Sequence, residues 1–472
     1  MQRLTRPSLL LCALLIATLF APGALAQPAS TKPATGPRQV ILIIGDGMDQ
    51  QQITIARNYL KGAAGQLLLD QLPVRSISQV LTIQDSVDGG PVYVADSANT
   101  ATSMATGEIT SRGRISTSAG SDRDLTTIVE LAAGAGLRSG IVSTASVTDA
   151  TPAAFAANIS FRLCENPAAM VDIAYKDIPL GDCSADLKAN GGKGSISEQL
   201  ANSDLHVMLG GGSKHFAPAV EGDSYSVLEL AQRNGFQVVS TAQALAAAHP
   251  EQRLLGLFSN NTMPVRLRGE GGREAEEAEP SWLHHLHPYL GKVKLPAPMT
   301  CEPNPASADV PSLRQMTDAA LSHLAHNNDR GFFLMIESAS IDKQSHERKP
   351  CGSIGELEQL DEALASALAF AETHPHTLVL VTADHAQAAQ LIPYESLFAA
   401  FPIPTYSPGK LARIITPEGG YMAVNYATTN FMKEEHTGAS VPLLSNIEGR
   451  DRVATFVQQP QIFTIVREYL GL

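Results

Sequence analysis

The sequence predicts an α/β protein: a mostly parallel central sheet flanked by helices on both faces, with a surface insertion. Three observations predict it. Continuous aliphatic runs at residues 39–44, 332–336 and 377–382 read as strands buried on both faces, since a strand with one wet face would alternate apolar and polar residues. Stretches with helical spacing separate these runs. The runs end at Asp46, Glu337 and Asp384-His385, and ligands of parallel sheets bind at the carboxyl ends of strands.

At the amino end, Arg3 and Arg6 precede an apolar run and Ala24-Leu25-Ala26, which makes residues 1–26 a signal peptide. The run is short for a transmembrane span, and no later stretch is long and apolar enough for one. The expected compartment is therefore periplasmic or secreted. Residues 27–38, rich in Pro, Ala, Thr and Ser, read as a flexible arm, leaving 39–472 as one domain. Formal charge is −13, and loss of the two signal-peptide arginines takes it to about −15. That balance argues against a nucleic-acid-binding surface or an anionic lipid partner.

A Gly-Asp-Gly turn around Asp46 follows the first strand, and a helix starts near residue 50. Next, a short β-prone run at 91–95 ends at Asp96, a good N-cap, before the small-residue stretch Ser97-Ala98-Asn99-Thr100-Ala101-Thr102. Ser97 would then lie in a first helical turn, where free N–H groups favour an anion. Residues 125–136 read as a helix, 139–144 as a strand and 152–158 as another helix, with Asp149 and Thr151 between strand and helix. Residues 205–209 read as a strand ending in three glycines. No Lys-Ser or Lys-Thr pair follows them, so they form a turn rather than a phosphate cradle.

Composition changes over about 268–292, an acidic run followed by Trp282 and the cluster His284, His285 and His287. This reads as an exposed insertion without metal. Residues 311–325 form a helix whose His323 and His326 have no carboxylate on the same face. Asp342 and His346 are four apart, so one helical turn presents both on one side. The stripe Leu357, Leu360, Leu364 and Leu368 belongs to a core helix over 354–371, and a terminal helix begins near residue 460. His436 sits in a polar loop before it.

After cleavage four cysteines remain, an even number in an exported chain. Of three possible pairings, Cys164–Cys183 closes a short loop and Cys301–Cys351 ties two segments flanking a helix; these are the expected bonds.

Taken together, the stretch around Ser97 and the Asp, Glu and His residues at the strand ends resemble the alkaline phosphatases. The resemblance runs from Val40 to the C-terminus, interrupted by the insertion, and the four cysteines fall where bacterial relatives place two disulfides. It implies a phosphomonoesterase with two Zn2+ and one Mg2+, acting through a phosphoserine on Ser97, with Arg162 as the phosphate clamp. Asp46, Asp384 and His385 match the ligands of the zinc that also holds Ser97. Asp342, His346 and His436 match those of the second zinc. Asp46, Thr151 and Glu337 match the magnesium site, with Asp149 and Lys343 behind it as in bacterial members. The resemblance also implies a homodimer. Sulfatases on the same scaffold carry Cys/Ser-x-Pro-x-Arg, which is absent at Ser97.

Charge supports that reading independently. Five carboxylates (Asp46, Asp149, Glu337, Asp342, Asp384) against Arg162 and Lys343 leave −3, which would repel a phosphate dianion. Three divalent ions reverse the sign.

Overall fold

The aliphatic runs become the middle of one large sheet. A computed structural model describes residues 36–175, 177–393 and 408–472; the expected signal peptide and residues 27–35 of the arm lie outside them. The strands are β1 (Arg38–Gly45), β2 (Val74–Gln79), β3 (Arg138–Ser146), β4 (Val207–Gly211), β5 (Phe236–Val239), β6 (Arg253–Leu257), β7 (Gly331–Ser338), β8 (Thr377–Ala383), β9 (Val441–Ser445) and β10 (Phe456–Gln458). Their spatial order is β10-β2-β9-β8-β1-β7-β3-β4-β6-β5. Neighbours run parallel. The exception is β9, antiparallel to both β2 and β8. Arg38, expected in the arm, opens β1 opposite Gly331.

The central strands have no wet face. In β1, Val40, Leu42 and Ile44 enter one hydrophobic core, while Ile41 and Ile43 enter the other. In β7, Phe333 and Met335 oppose Phe332, Leu334 and Ile336 in the same way. Fully burying one such side chain stabilises by roughly 1.5–3 kcal/mol, so the doubly covered strands anchor the fold. Helices cover both sides. They include α1 (Gln50–Lys61), α2 (Ser97–Thr106), α3 (Ile128–Gly134), α4 (Ala150–Ala154), α5 (Leu313–Ala325), α6 (Ser340–His346), α7 (Pro350–Thr373) and α8 (Pro460–Leu470). The leucine stripe of α7 packs into one core, and Ile462, Phe463 and Val466 of α8 into the other. Among the described residues, no helix is long and apolar enough to cross a membrane.

Local capping moves several boundaries from their expected places. Helix α3 starts at Ile128 rather than 125, because Thr127 caps the Glu130 N–H and Glu130 accepts from Thr127 in return. Helix α4 starts at Ala150 rather than 152, since the Asp149 carboxylate accepts from the Ala150 N–H, and it ends at Ala154. Ser97 does not follow a strand of the central sheet: the preceding strand, Pro91–Val92, pairs only with Thr82–Ile83.

A second, antiparallel sheet escaped the sequence reading. It joins Glu276–Glu277, Lys410–Ile415, Tyr421–Tyr426 and Gln390–Ile392. The first of these strands lies within residues 268–292, so that stretch is stitched to the body at Leu411 and Lys410. Trp282 is 70% exposed. The disulfides are Cys164–Cys183, separated by 19 residues, and Cys301–Cys351, separated by 50.

Candidate active site

Strand register brings three acids to one edge. Ile44 of β1 lies opposite Glu337 of β7, and Gly45 lies opposite Ala383 of β8, so Asp46, Glu337 and Asp384 emerge side by side. The turn after β1 needs glycine: Gly47 has φ +69°, and a Cβ there would meet Gln387 Cγ at 2.8 Å and Asp342 Cβ at 3.1 Å. The Gly47 N–H donates to Asp384 Oδ1 at 2.9 Å.

Helix α2 delivers Ser97. Asp96 accepts from the Asn99 N–H at 3.1 Å while Asn99 Oδ1 accepts from the Asp96 N–H at 2.9 Å, a reciprocal cap that fixes the first turn. Every residue of α2 is buried, and apart from Asn99 and Met104 its side chains are small. Ser97 Oγ sits 3.1 Å from His385 Nε2.

Two clusters of acids and histidines adjoin it, and the sets Asp46–Asp384–His385 and Asp342–His385–His436 are each compact enough to hold a metal ion. His385 Nε2 is 3.4 Å from Asp46 Oδ1 and 3.3 Å from Asp384 Oδ2. On the other side Asp342 lies 3.3 Å from both His346 Nε2 and His436 Nε2, which are themselves 3.0 Å apart. The remaining nitrogens are oriented by carbonyls: His436 Nδ1 faces Ala95 O at 2.8 Å, and His346 Nδ1 faces Glu434 O. Such outer contacts select the tautomer that leaves Nε2 free to bind a metal. The groups share a wall, since the His385 and His436 rings stack at 3.7 Å.

Their electrostatics are unresolved by protein alone. Burial, with Asp342, Asp384 and Glu337 close by, pushes Asp46 well above the usual carboxylate range. Burial likewise raises Glu337 to about 8 and Asp384 to about 6. It would raise Asp342 too, but His346 and His436 hold that carboxyl well below its ordinary value. Burial opposes charging His436, yet the Asp342 carboxylate holds it up at about 9. Burial and neighbouring His436 keep His385 well below an ordinary histidine. Asp46 Oδ1 and Asp384 Oδ2 are buried without hydrogen-bond partners. Mixed histidine and carboxylate donors with orphaned oxygens fit divalent cations.

A third set is complete in itself. Arg162 Nη1 donates to Asp96 and Nη2 to Asp149, each at 3.1 Å, and Lys343 Nζ also donates to Asp149. Behind it Glu337 accepts from Ser143 Oγ. All twelve candidate residues (Asp46, Ser97, Asp149, Thr151, Arg162, Glu337, Asp342, Lys343, His346, Asp384, His385 and His436) thus fall at one edge of the sheet. His284, His285 and His287 belong to no ligand group found among the described residues, and neither do His323 and His326.

Sequence reasoning missed the supports. Gln387 Nε2 donates to Asp342 Oδ1 at 2.6 Å. Buried Arg348 pairs with buried Glu434 at 2.7 Å and bonds the carbonyls of Phe431 and Met432, pinning the loop that carries His436. Asp96 orients Arg162 besides capping α2. None of these lies in a recognisable spacing; Gln387, two residues after His385, was the one within sight of a motif.

A family model for alkaline phosphatase matches residues 37–464. The chain is 40% identical over 470 residues to streptomycin-6-phosphate phosphatase of Streptomyces griseus, covering 97% of this chain and 96% of that one. It is 39% identical over 457 residues to an alkaline phosphatase of Escherichia coli (strain K12), covering 95% and 88%. Among solved structures, alkaline phosphatase from Thermus thermophilus superposes with a TM-score of 0.62 at 21% identity, covering 96% of each chain, which bears on the fold. The chain belongs to the alkaline phosphatase family and is a phosphomonoesterase.

Proposed function

We propose that the protein is an exported phosphomonoesterase that hydrolyses phosphate monoesters through a phosphoserine on Ser97, with two Zn2+ and one Mg2+ as cofactors. The observation that carries this reading is Ser97 Oγ, 3.1 Å from His385 Nε2, beside buried Asp46 Oδ1 and Asp384 Oδ2, which accept no hydrogen bond and face the same ring nitrogen at 3.4 and 3.3 Å. Asp46, Asp384 and His385 would hold one zinc, Asp342, His346 and His436 the other, and Asp46, Thr151 and Glu337 the magnesium. When bound, the ions supply the positive charge that admits a dianion and lowers the pKa of hydroxyl and water.

The chain's own groups do the rest. Ser97, at the amino end of α2, gives its proton to solvent and attacks phosphorus as the P–O ester bond breaks, and the departing oxygen takes a proton from water to leave as the alcohol. The Arg162 guanidinium, aligned by Asp96 and Asp149, donates to two non-bridging oxygens. Lys343 holds Asp149 in place and adds positive charge nearby. Water then attacks the phosphoserine and returns Ser97. Of the two relatives described above, one is named for streptomycin 6-phosphate and the other for no particular ester.

Comparison of wild type with Ser97→Ala tests the reading. The wild type is expected to hydrolyse an aryl phosphate, and the variant to lose at least ~10³-fold in kcat while keeping its zinc, measured by atomic absorption. Equal rates in both proteins would refute a nucleophilic Ser97.

A further inference from the structure

The cavity beside Ser97 has a volume of about 600 Å³ and three lysine or arginine side chains among its lining residues: Arg162, Lys343 and Lys433. Two are already neutralised. Arg162 faces Asp96 and Asp149, and Lys343 faces Asp149. Of the lining carboxylates, Glu347 is taken by Lys349, and Asp342 faces His346 and His436. Lys433 differs. Among the described residues no carboxylate lies within ion-pair distance of it, although the chain carries 47 acids against 34 bases.

Its backbone is nonetheless fixed. Arg348 donates to the carbonyls of Phe431 and Met432, both at 2.9 Å, and to Glu434 at 2.7 Å, so the chain is tied on either side of Lys433. The Glu434 N–H donates to His346 O at 2.9 Å, which locks the same loop to a ligand-bearing helix. The loop therefore presents an ammonium to the cavity on a rigid base. Around it stand polar side chains, Asn261, Thr262 and Asn304. In an acidic protein, an exposed lysine without a carboxylate partner among the described residues, carried on a pinned backbone at a ligand cavity, is charge complementarity addressed to the ligand.

We propose that Lys433 is a specificity residue that recognises a second anionic group, a carboxylate or another phosphate, on the leaving-group side of the ester. This rests on the phosphomonoesterase reading and narrows its substrate class. The reacting phosphate is met by Ser97, Arg162 and the metal ligands; Lys433 meets what remains of the molecule.

The test is a ratio of kcat/KM values on the metal-loaded enzyme. Phosphoglycerate is compared with phosphoglycerol for the carboxylate arm, and a hexose bisphosphate with its monophosphate for the phosphate arm. Lys433→Ala is expected to lower the ratio of doubly to singly anionic ester by about fivefold, the upper end for one accessible ion pair. Lys433→Glu should lower it further and Lys433→Arg should restore it. Because both esters are assayed on one preparation, misfolded protein cancels from the ratio. The arm that responds identifies the anion. An unchanged ratio in both arms, or an equal loss on all esters, overturns the proposal, the latter assigning Lys433 to the common phosphate. A wild type that hydrolyses none of these esters would instead sink the phosphomonoesterase reading.

Discussion

Asp384 and Asp149 are carboxylates at the same edge of the same sheet, and their surroundings differ in completeness. Asp149 Oδ1 accepts from Ala150 N–H and Arg162, and its Oδ2 accepts from Lys343, so its carboxyl is held far below the ordinary range despite burial. Asp384 Oδ1 accepts from two backbone N–H groups, but Oδ2 has no hydrogen-bond partner, and burial lifts its carboxyl to about 6. A buried charge without a partner costs several kcal/mol, so native proteins seldom leave one unless a ligand completes it. The contrast separates a carboxylate whose oxygens are all hydrogen-bonded from one that keeps a buried oxygen open.

Metal removal should break the comparison most completely. Long incubation with a strong chelator is expected to abolish turnover of an aryl phosphate by more than ~10³-fold, with zinc and magnesium restoring it. Full activity in chelator would show that Asp384 needs no cation.

Opposite substitutions sharpen it. Asp149→Ala leaves Arg162 and Lys343 each short of a carboxylate. Their partial exposure reduces the usual penalty for a broken buried pair to about 1–3 kcal/mol, read by urea unfolding of the metal-free protein. Asp384→Asn, by relieving an unmatched charge, should leave metal-free stability unchanged or raised while zinc binding is lost. If both substitutions destabilise alike, the distinction fails.

A smaller effect is expected at Gln387, whose amide fixes Asp342. Gln387→Ala should weaken zinc binding by roughly tenfold in a competition titration against an indicator dye. Affinity equal to wild type would make that hydrogen bond incidental.

The weakest effect is on pH. Folded pKa values of about 8 for Glu337 and about 6 for Asp384 exceed their unfolded values of 4.5 and 3.8. The folded state therefore binds more protons between those limits, and metal-free stability falls as pH rises from about 4 to 8. His436, raised from 6.5 to about 9, adds stability that is full below 6.5 and lost through 9, the same sign. Melting temperatures of metal-free protein should decline across this range, and saturating zinc should flatten the slope. A metal-free melting point that rises with pH would contradict the assignment.

Legibility followed the range of the interactions. Strands β1, β7 and β8 were readable because burial on both faces demands an unbroken aliphatic run. Asp342 and His346 were readable because one helical turn fixes their spacing. The hairpin of Lys410–Ile415 and Tyr421–Tyr426 pairs locally and was nevertheless missed; the range of the interaction hid only its outer partners, Glu276–Glu277 and Gln390–Ile392. Arg348–Glu434 was equally hidden: 86 residues separate two charges whose burial only the folded loop creates.

By itself the sequence determined the strand cores, the acids and histidines that end them, the cap at Asp96 and the supply of cysteines. These depend on periodicity, sterics and backbone hydrogen bonding within a few residues, which act before any tertiary contact exists. Only the tertiary structure decided that His346 and His436, 90 residues apart, meet at 3.0 Å, that Gln387 steadies Asp342, and that Lys433 stands without a carboxylate. Those outcomes depend on which distant surfaces exclude water from one another, and a linear order of residues carries no local mark of that.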